Sequence, residues 1–194
     1  MENSEEKAYS TKFKELTELK NFIGKELGLT KWMQMSQEKI DDFAKITDDQ
    51  QWIHTDPKKS ALYSPYKKTV AHGFLVLSMI TRVSLDAFSI ENVVAGINYG
   101  LDRVRFPNAT KSDSTYRGRV SLMEFTEIPN GAKYKLKVEI ENIKSQISLK
   151  SIITNRFSIE NLEISTKSLE IKNLLSFIRT FENSPELFIL EKII

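Results

Sequence analysis

The chain has 194 residues, no cysteine, and 28 Lys and Arg against 26 Asp and Glu, for a net charge of +2. That length makes one domain able to bury a sizeable core, and the interspersed charges leave no footprint for nucleic acid or a membrane surface. The lack of cysteine excludes disulfides, thiolate metal sites and a cysteine nucleophile.

The N-terminal run Met1-Glu2-Asn3-Ser4-Glu5-Glu6-Lys7 is acidic and polar, unlike a secretory leader. Residues 1–11 are expected to be flexible. No apolar run approaches the roughly 18 residues of a spanning helix, so the expected location is cytoplasmic. Leu16, Leu19, Phe22, Ile23 and Leu27 recur at helical spacing, with Gly28 placed as a C-cap. That pattern predicts a helix over 12–27. Ser36 predicts the N-cap of a second helix, which carries Ile40, Phe43 and Ala44 to about Ile46.

The next stretch, Thr47-Asp48-Asp49-Gln50-Gln51-Trp52-Ile53-His54-Thr55-Asp56-Pro57, falls in a loop or short turn, where catalytic groups are commonly mounted. Ala71-His72-Gly73-Phe74-Leu75 then opens a third helix, over 73–88. It is apolar on nearly every side and so is expected to be wrapped by other structure. Beyond it the period changes to two. Residues 98–106 read as a strand ended by Pro107, and 115–125 and 133–141 as strands joined by a hairpin turn at Pro129-Asn130-Gly131. Residues 145–153 read as a further strand.

One enclosed helix followed by several antiparallel strands is an α+β fold, an antiparallel β-sheet wrapped around a long central helix. The open edge of such a sheet predicts a homodimer. The predicted domain spans 12–155. In the remaining segment, 156–194, Ile171, Leu174, Leu175, Ile178 and Phe181 mark an amphipathic helix and 187–190 an apolar patch, with no visible chemistry.

Imidazole chemistry in this chain must use His54 or His72, since there are no other histidines. A carboxylate at Asp49 and a neutral imidazole at His54 can hold one water between them, each within hydrogen-bond reach of roughly 2.6–3.2 Å. One takes a proton as the water attacks carbon 3 of an enoyl thioester, and the other supplies a proton to carbon 2. Charge then passes to the thioester oxygen, which needs a donor. The first N–H groups of a helix have no internal partner and carry the positive end of its dipole, and glycine lets a substrate approach them. Gly73 fits that task. By residue type alone, Asp49 also suits a helix cap, His54 a structural hydrogen bond and Gly73 close packing.

The segment from about Ser36 to Phe106 resembles the MaoC-like dehydratases, also called the R-specific enoyl-CoA hydratase (hydratase 2) family, in the branch of nodulation protein N. The family motif runs Thr-Gly-Asp, a short spacer and His, then Ala-(His or Pro)-Gly-(Met or Phe)-Leu. Matching positions are Thr47, Asp49, His54, Ala71, His72, Gly73, Phe74 and Leu75. Gln51-Trp52-Ile53-His54 and the stretch from Tyr99-Gly100-Leu101 to Val104-Arg105-Phe106-Pro107 favour the nodulation-protein branch.

The resemblance spans residues 15 to 142. It implies a hot-dog fold, a homodimer, and an acyl-CoA or acyl carrier thioester held in a tunnel, with no separate cofactor. It further implies a hydro-lyase that interconverts trans-2-enoyl and (R)-3-hydroxyacyl thioesters, with Asp49 and His54 as the catalytic pair. The Gly73 N–H binds the thioester oxygen, and Ser78 or Thr81 is the central-helix hydroxyl that orients the carboxylate. His72 is expected to be structural, because the matching position accepts proline.

In two places the chain departs from the family pattern. Asp48 stands where the family has glycine, which changes the backbone angle on offer and adds a like charge beside Asp49. The chain after Asn142 does not resemble the family's last strand, which leaves closure of the sheet open. Trp52 and Phe74 are candidate tunnel walls or ordinary buried aromatics. Arg103 and Arg105 share a strand face, either solvated or meeting coenzyme A phosphates. No phosphate-cradling glycine loop or Ser-His-Asp set is present, and the spacing of the two histidines predicts no metal site. The competing functions are a hot-dog thioesterase and a non-catalytic acyl-thioester-binding module.

Overall fold

The computed structural model describes residues 6–142 and the strand over 147–158. The amphipathic stretch at 171–181 and the apolar patch at 187–190 lie outside the described residues. In chain order the elements are strand β1 (Tyr9–Phe13), a 3-10 helix (Leu16–Phe22), β2 (Glu26–Leu29), β3 (Met33–Met35), and helices α1 (Gln37–Thr47), α2 (Trp52–Thr55), α3 (Pro57–Tyr63) and α4 (Gly73–Ala87). Strands β4 (Phe88–Ile90), β5 (Ala95–Arg105), β6 (Ser114–Ile128), β7 (Gly131–Asn142) and β8 (Ile147–Ser158) follow.

The strands join in one sheet of order β4-β1-β2-β6-β7-β8-β5, with β3 also paired to β6. All pairings are antiparallel except β1 with β4. Helix α4 packs on this sheet through β1, β2, β6, β7 and β8. Period-two patterning explains the concave face. Ala132, Tyr134, Leu136, Val138 and Ile140 of β7 are all 1% exposed or less, and the residues between them are only partly covered. Tyr134, Leu136, Val138 and Ile140 share one core cluster with Leu75, Val76, Ile80, Val83 and Ala87 of α4, all buried. Each fully buried apolar side chain contributes roughly 1.5–3 kcal/mol.

The region before α1 departs from the sequence reading. No α-helix spans 12–27. Leu16, Leu19 and Phe22 lie on the 3-10 helix, whose three residues per turn give the same i, i+3 recurrence. Gly24, at φ 79°, follows it. Leu27, Gly28 and Leu29 are all buried along β2. Gly28 is no C-cap: a Cβ built on it would lie 2.1 Å from the Ala87 carbonyl oxygen. Strand β1 begins at Tyr9, inside the stretch expected to be flexible. At the other end β8 pairs with both β7 and β5. It lies between them within the open sheet and runs to Ser158, past the expected boundary at 155.

Gly118 of β6 is a second point of close approach, where a Cβ would meet Val83 Cγ1 at 2.2 Å. These two contacts predict different responses. Gly118→Ala should lose about 1–3 kcal/mol or more through overpacking, and Val83→Ala in the same chain should recover part of it by removing the offending methyls. Gly28→Ala meets main-chain atoms, so no side-chain trimming at position 87 should rescue it. Urea melts of these variants, with Gly28→Ala also measured beside Ala87→Gly in the same chain, check both statements.

The enclosure of α4 is one-sided in the single chain. Phe74 and Leu85, on its outer stripe, are 72% and 71% exposed, and Thr81 and Arg82 are exposed beside them. The all-round apolar pattern therefore includes a face that the described residues leave uncovered.

Candidate active site

Helix α1 fixes one side of the site. Ser36 Oγ accepts from the Lys39 N–H at 3.4 Å as N-cap, as expected from its position. The helix ends at Asp48, which adopts the left-handed conformation at φ 56°. That angle explains a preference for glycine at this position; aspartate is among the few other residues that visit it routinely. The chain then turns so that Asp49 lies between α1 and the short α2, which carries His54.

Helix α2 is pinned from several sides. The Gln51 carbonyl accepts from His54 N at 2.9 Å, and Ser60 Oγ of α3 donates to the Trp52 carbonyl at 3.2 Å. Asp56, with Pro57 in the first turn, caps α3 by accepting from Lys59 N at 2.9 Å. The Gln37 carboxamide donates to the His54 carbonyl at 2.8 Å. Thr69 in turn hydrogen-bonds to both Gln37 and Ser112. The bonds made by Gln37, Thr69 and Ser112 join distant parts of the chain, so no local signal in the sequence marks these residues as supports.

The segment before α4 brings the second half of the motif against the first. Val70 N donates to the Ile53 carbonyl at 3.1 Å, and the His54 Nδ1–H donates to the Val70 carbonyl at 2.6 Å. A carbonyl only accepts, so the proton is on Nδ1 and Nε2 remains an acceptor. His72 is 3% exposed, and its Nε2–H donates to the Asp49 carbonyl at 3.0 Å. The two imidazoles stack with centroids 3.8 Å apart and planes at 27°. Phe43 packs on His72 at 5.1 Å.

Asp49, His54 and His72 each present one coordinating atom, all within 4.8 Å of one another. The histidine spacing along the chain gave no hint of this cluster, because tertiary pairing between 53 and 70 creates it. One nitrogen of each ring is bonded to a carbonyl, which fixes the ring and leaves the other nitrogen open to a proton or a metal ion.

Burial pushes the His54 imidazole below its usual range, and His72 beside it acts the same way. The Val70 carbonyl and the Asp49 carboxylate pull in the opposite direction.

Gly73 is the first residue of α4, directly after His72. A Cβ there would lie 3.1 Å from the Phe106 ring, so Phe106 borders this helix start. Ser78 Oγ donates back to the Leu75 carbonyl at 2.8 Å. Thr81 lines a separate cavity of about 360 Å³ with Ile80, Ser84, Leu85, Phe88 and Ile90. Trp52 is half-buried, with the Lys59 ammonium 5.2 Å from its ring centroid. Phe74 points outward with the exposed stripe of α4. Asp49, His54 and Gly73 thus assemble through His72, whereas Ser78, Thr81, Trp52 and Phe74 occupy different surroundings.

A family model described as a MaoC-like domain matches residues 18–143. The chain belongs to the MaoC-like domain family. It is 41% identical over 133 residues to nodulation protein N of Rhizobium leguminosarum bv. viciae, covering 66% of this chain and 81% of that protein. It is 35% identical over 132 residues to 3-hydroxyacyl-thioester dehydratase Z of Mycobacterium tuberculosis, covering 66% and 87%. Among solved structures, an R-hydratase from Pseudomonas aeruginosa superposes with a TM-score of 0.56 at 16% identity, covering 67% of this chain and 79% of that one.

This MaoC-like chain therefore has the α+β hot-dog fold, with α4 as the helix in the curled sheet. The matched region contains every residue of the cluster. Among the described residues, no helix is long and apolar enough to cross a membrane.

Proposed function

We propose that this protein is a hydro-lyase that interconverts trans-2-enoyl and (R)-3-hydroxyacyl thioesters of coenzyme A or an acyl carrier, acting as a homodimer in the cytoplasm. The observation that carries the reading is the arrangement of His54. Its Nδ1–H is tied to a carbonyl, so its Nε2 is left as an acceptor in the same cluster as the Asp49 carboxylate. That cluster adjoins a helix start that opens on glycine.

In the hydration direction Asp49 and His54 bind one water. The base of the pair takes its proton as the oxygen forms a bond to carbon 3. The electron pair of the double bond shifts toward the thioester oxygen, which the Gly73 N–H stabilises, and carbon 2 then takes the proton that the pair has just accepted from the water. The elements of water add without net electron transfer, so the reaction calls for no redox cofactor. The outward stripe of α4 with Phe74 and Leu85, and the edge strand β5 with exposed Ile97 and Leu101, are the surfaces a second copy would cover.

The test is hydration of crotonyl-CoA and longer enoyl-CoAs, followed as loss of the conjugated thioester absorbance, with free thiol assayed in parallel. Loss of absorbance without thiol release is the expected result. Thiol release would mean a thioesterase, and saturable binding without turnover would mean a binding module.

The His54 shift sets a pH dependence. The active form is neutral His54, whose folded-state pKa lies below the usual value of about 6.5. The acid limb of kcat/KM should therefore fall below pH 6.5, with activity rising as pH increases through it. Stability follows the same sign. The unfolded chain takes up the proton first, so His54 contributes stability above about pH 6.5 that is lost as pH drops toward its folded value. An acid limb centred above pH 7 would contradict this assignment.

A further inference from the structure

We propose that His72 is a positioning residue, which holds the Asp49 main chain through Nε2–H and the face of His54 through ring stacking. It thereby sets the spacing of the two groups that share the reacting water. The inference rests on the reading of Asp49 and His54 as the catalytic pair.

Asp49 belongs to no helix or strand ladder. It lies between the left-handed Asp48 and the start of α2. The His72 imidazole reaches across 23 residues of chain to its carbonyl at 3.0 Å. The same ring lies 3.8 Å from that of His54, and its own main chain leads directly into Gly73. One buried residue therefore ties the carboxylate, the imidazole and the helix N–H to each other.

The other ring nitrogen points to the same role. His72 Nδ1 is buried without a hydrogen-bond partner, which costs stability. A residue needed only for packing gains nothing from such an arrangement, and an apolar ring would avoid it. The arrangement makes sense if the Nε2–H donor and the flat face are both in use.

The experiment compares His72→Ala, His72→Phe, His72→Asn and His72→Gln in the full chain, with kcat, KM and the thermal midpoint measured for each. Glutamine places its amide near the position of Nε2, asparagine near Nδ1, and phenylalanine keeps only the stacking ring. We expect the Ala, Phe and Asn variants to lose kcat on the order of tenfold to a hundredfold through misplacement, with KM changed much less. His72→Gln should recover most of that loss. Wild-type kcat in the Ala, Phe and Asn variants, or a folded Gln variant no better than Ala, overturns the proposal.

Should the variants fail to fold, the wild-type protein still decides. Long-range 1H–15N spectra of its two histidines should show the proton on Nε2 of His72 and on Nδ1 of His54. A proton found on Nδ1 of His72 overturns the contact. A wild type inactive toward every enoyl thioester would sink the hydratase reading instead, and the tautomer measurement would still report on His72 separately.

Discussion

Asp49→Asn is expected to cut kcat for enoyl-thioester hydration by about 10²–10⁴-fold, the usual worth of a positioned acid or base, while leaving the fold intact. The exchange is nearly isosteric. The Asp49 side chain is 39% exposed, and its best-defined bond, from His72, goes to the main-chain carbonyl, which asparagine retains. Loss of activity without loss of stability therefore isolates the carboxylate's chemistry. His54→Ala should give a drop of similar size but with some structural cost, because it also removes the bond to Val70. The two residues serve one water, so the double variant should be little worse than the poorer single one. Multiplicative losses, or an Asp49→Asn enzyme with more than about a tenth of wild-type kcat, would mean that the two do not act as a unit.

Much of this was legible in the sequence, because the strongest signals were periodic or chemical. The alternation over 133–141 marked the strand whose Tyr134, Leu136, Val138 and Ile140 form the buried face of β7, and Ser36 marked the start of α1. What failed was the stretch around Leu16 to Gly28. There an i, i+3 recurrence fitted both an α-helix and a 3-10 turn followed by a strand, and tertiary pairing with β6 decided between them. Gly28 shows the same limit: a glycine after an apolar run reads as a cap, yet its role is to admit the Ala87 carbonyl of a helix some sixty residues away.

In the site, residue types singled out Asp49, His54 and Gly73 as candidates and read His72 as structural, which fits its burial and its bond to the Asp49 carbonyl. A motif position that tolerates proline reads as structural, and nothing local shows that this imidazole reaches back to Asp49. Gln37, Thr69 and Ser112, which support the His54 segment, are equally silent, because their bonds span 17 to 43 residues. Phe74, read as a tunnel wall or an ordinary buried aromatic, is not buried in the single chain. Hydropathy cannot say which apolar side of a helix faces the chain's own sheet and which is left for something else.

The role given to the Gly73 N–H is separable from the space around it by comparing Gly73→Ala with Gly73→Pro. Both add a Cβ that presses on the Phe106 ring from 3.1 Å, and only proline removes the N–H, replacing it with the Cδ of its ring. The backbone accepts the change. Proline is favoured at the first helical position, where the N–H has no helical partner. His72, at φ −55° and ψ 140°, already has the extended conformation that a following proline demands. Gly73→Pro should therefore fold about as well as Gly73→Ala and yet turn over on the order of 10²–10³-fold more slowly, the cost of one lost oxyanion donor. The deficit should fall on kcat more than on KM, since the thioester oxygen gains its charge only as carbon 3 is attacked. Equal rates for the two variants would move the oxyanion contact away from Gly73, to another N–H in the first turn of α4.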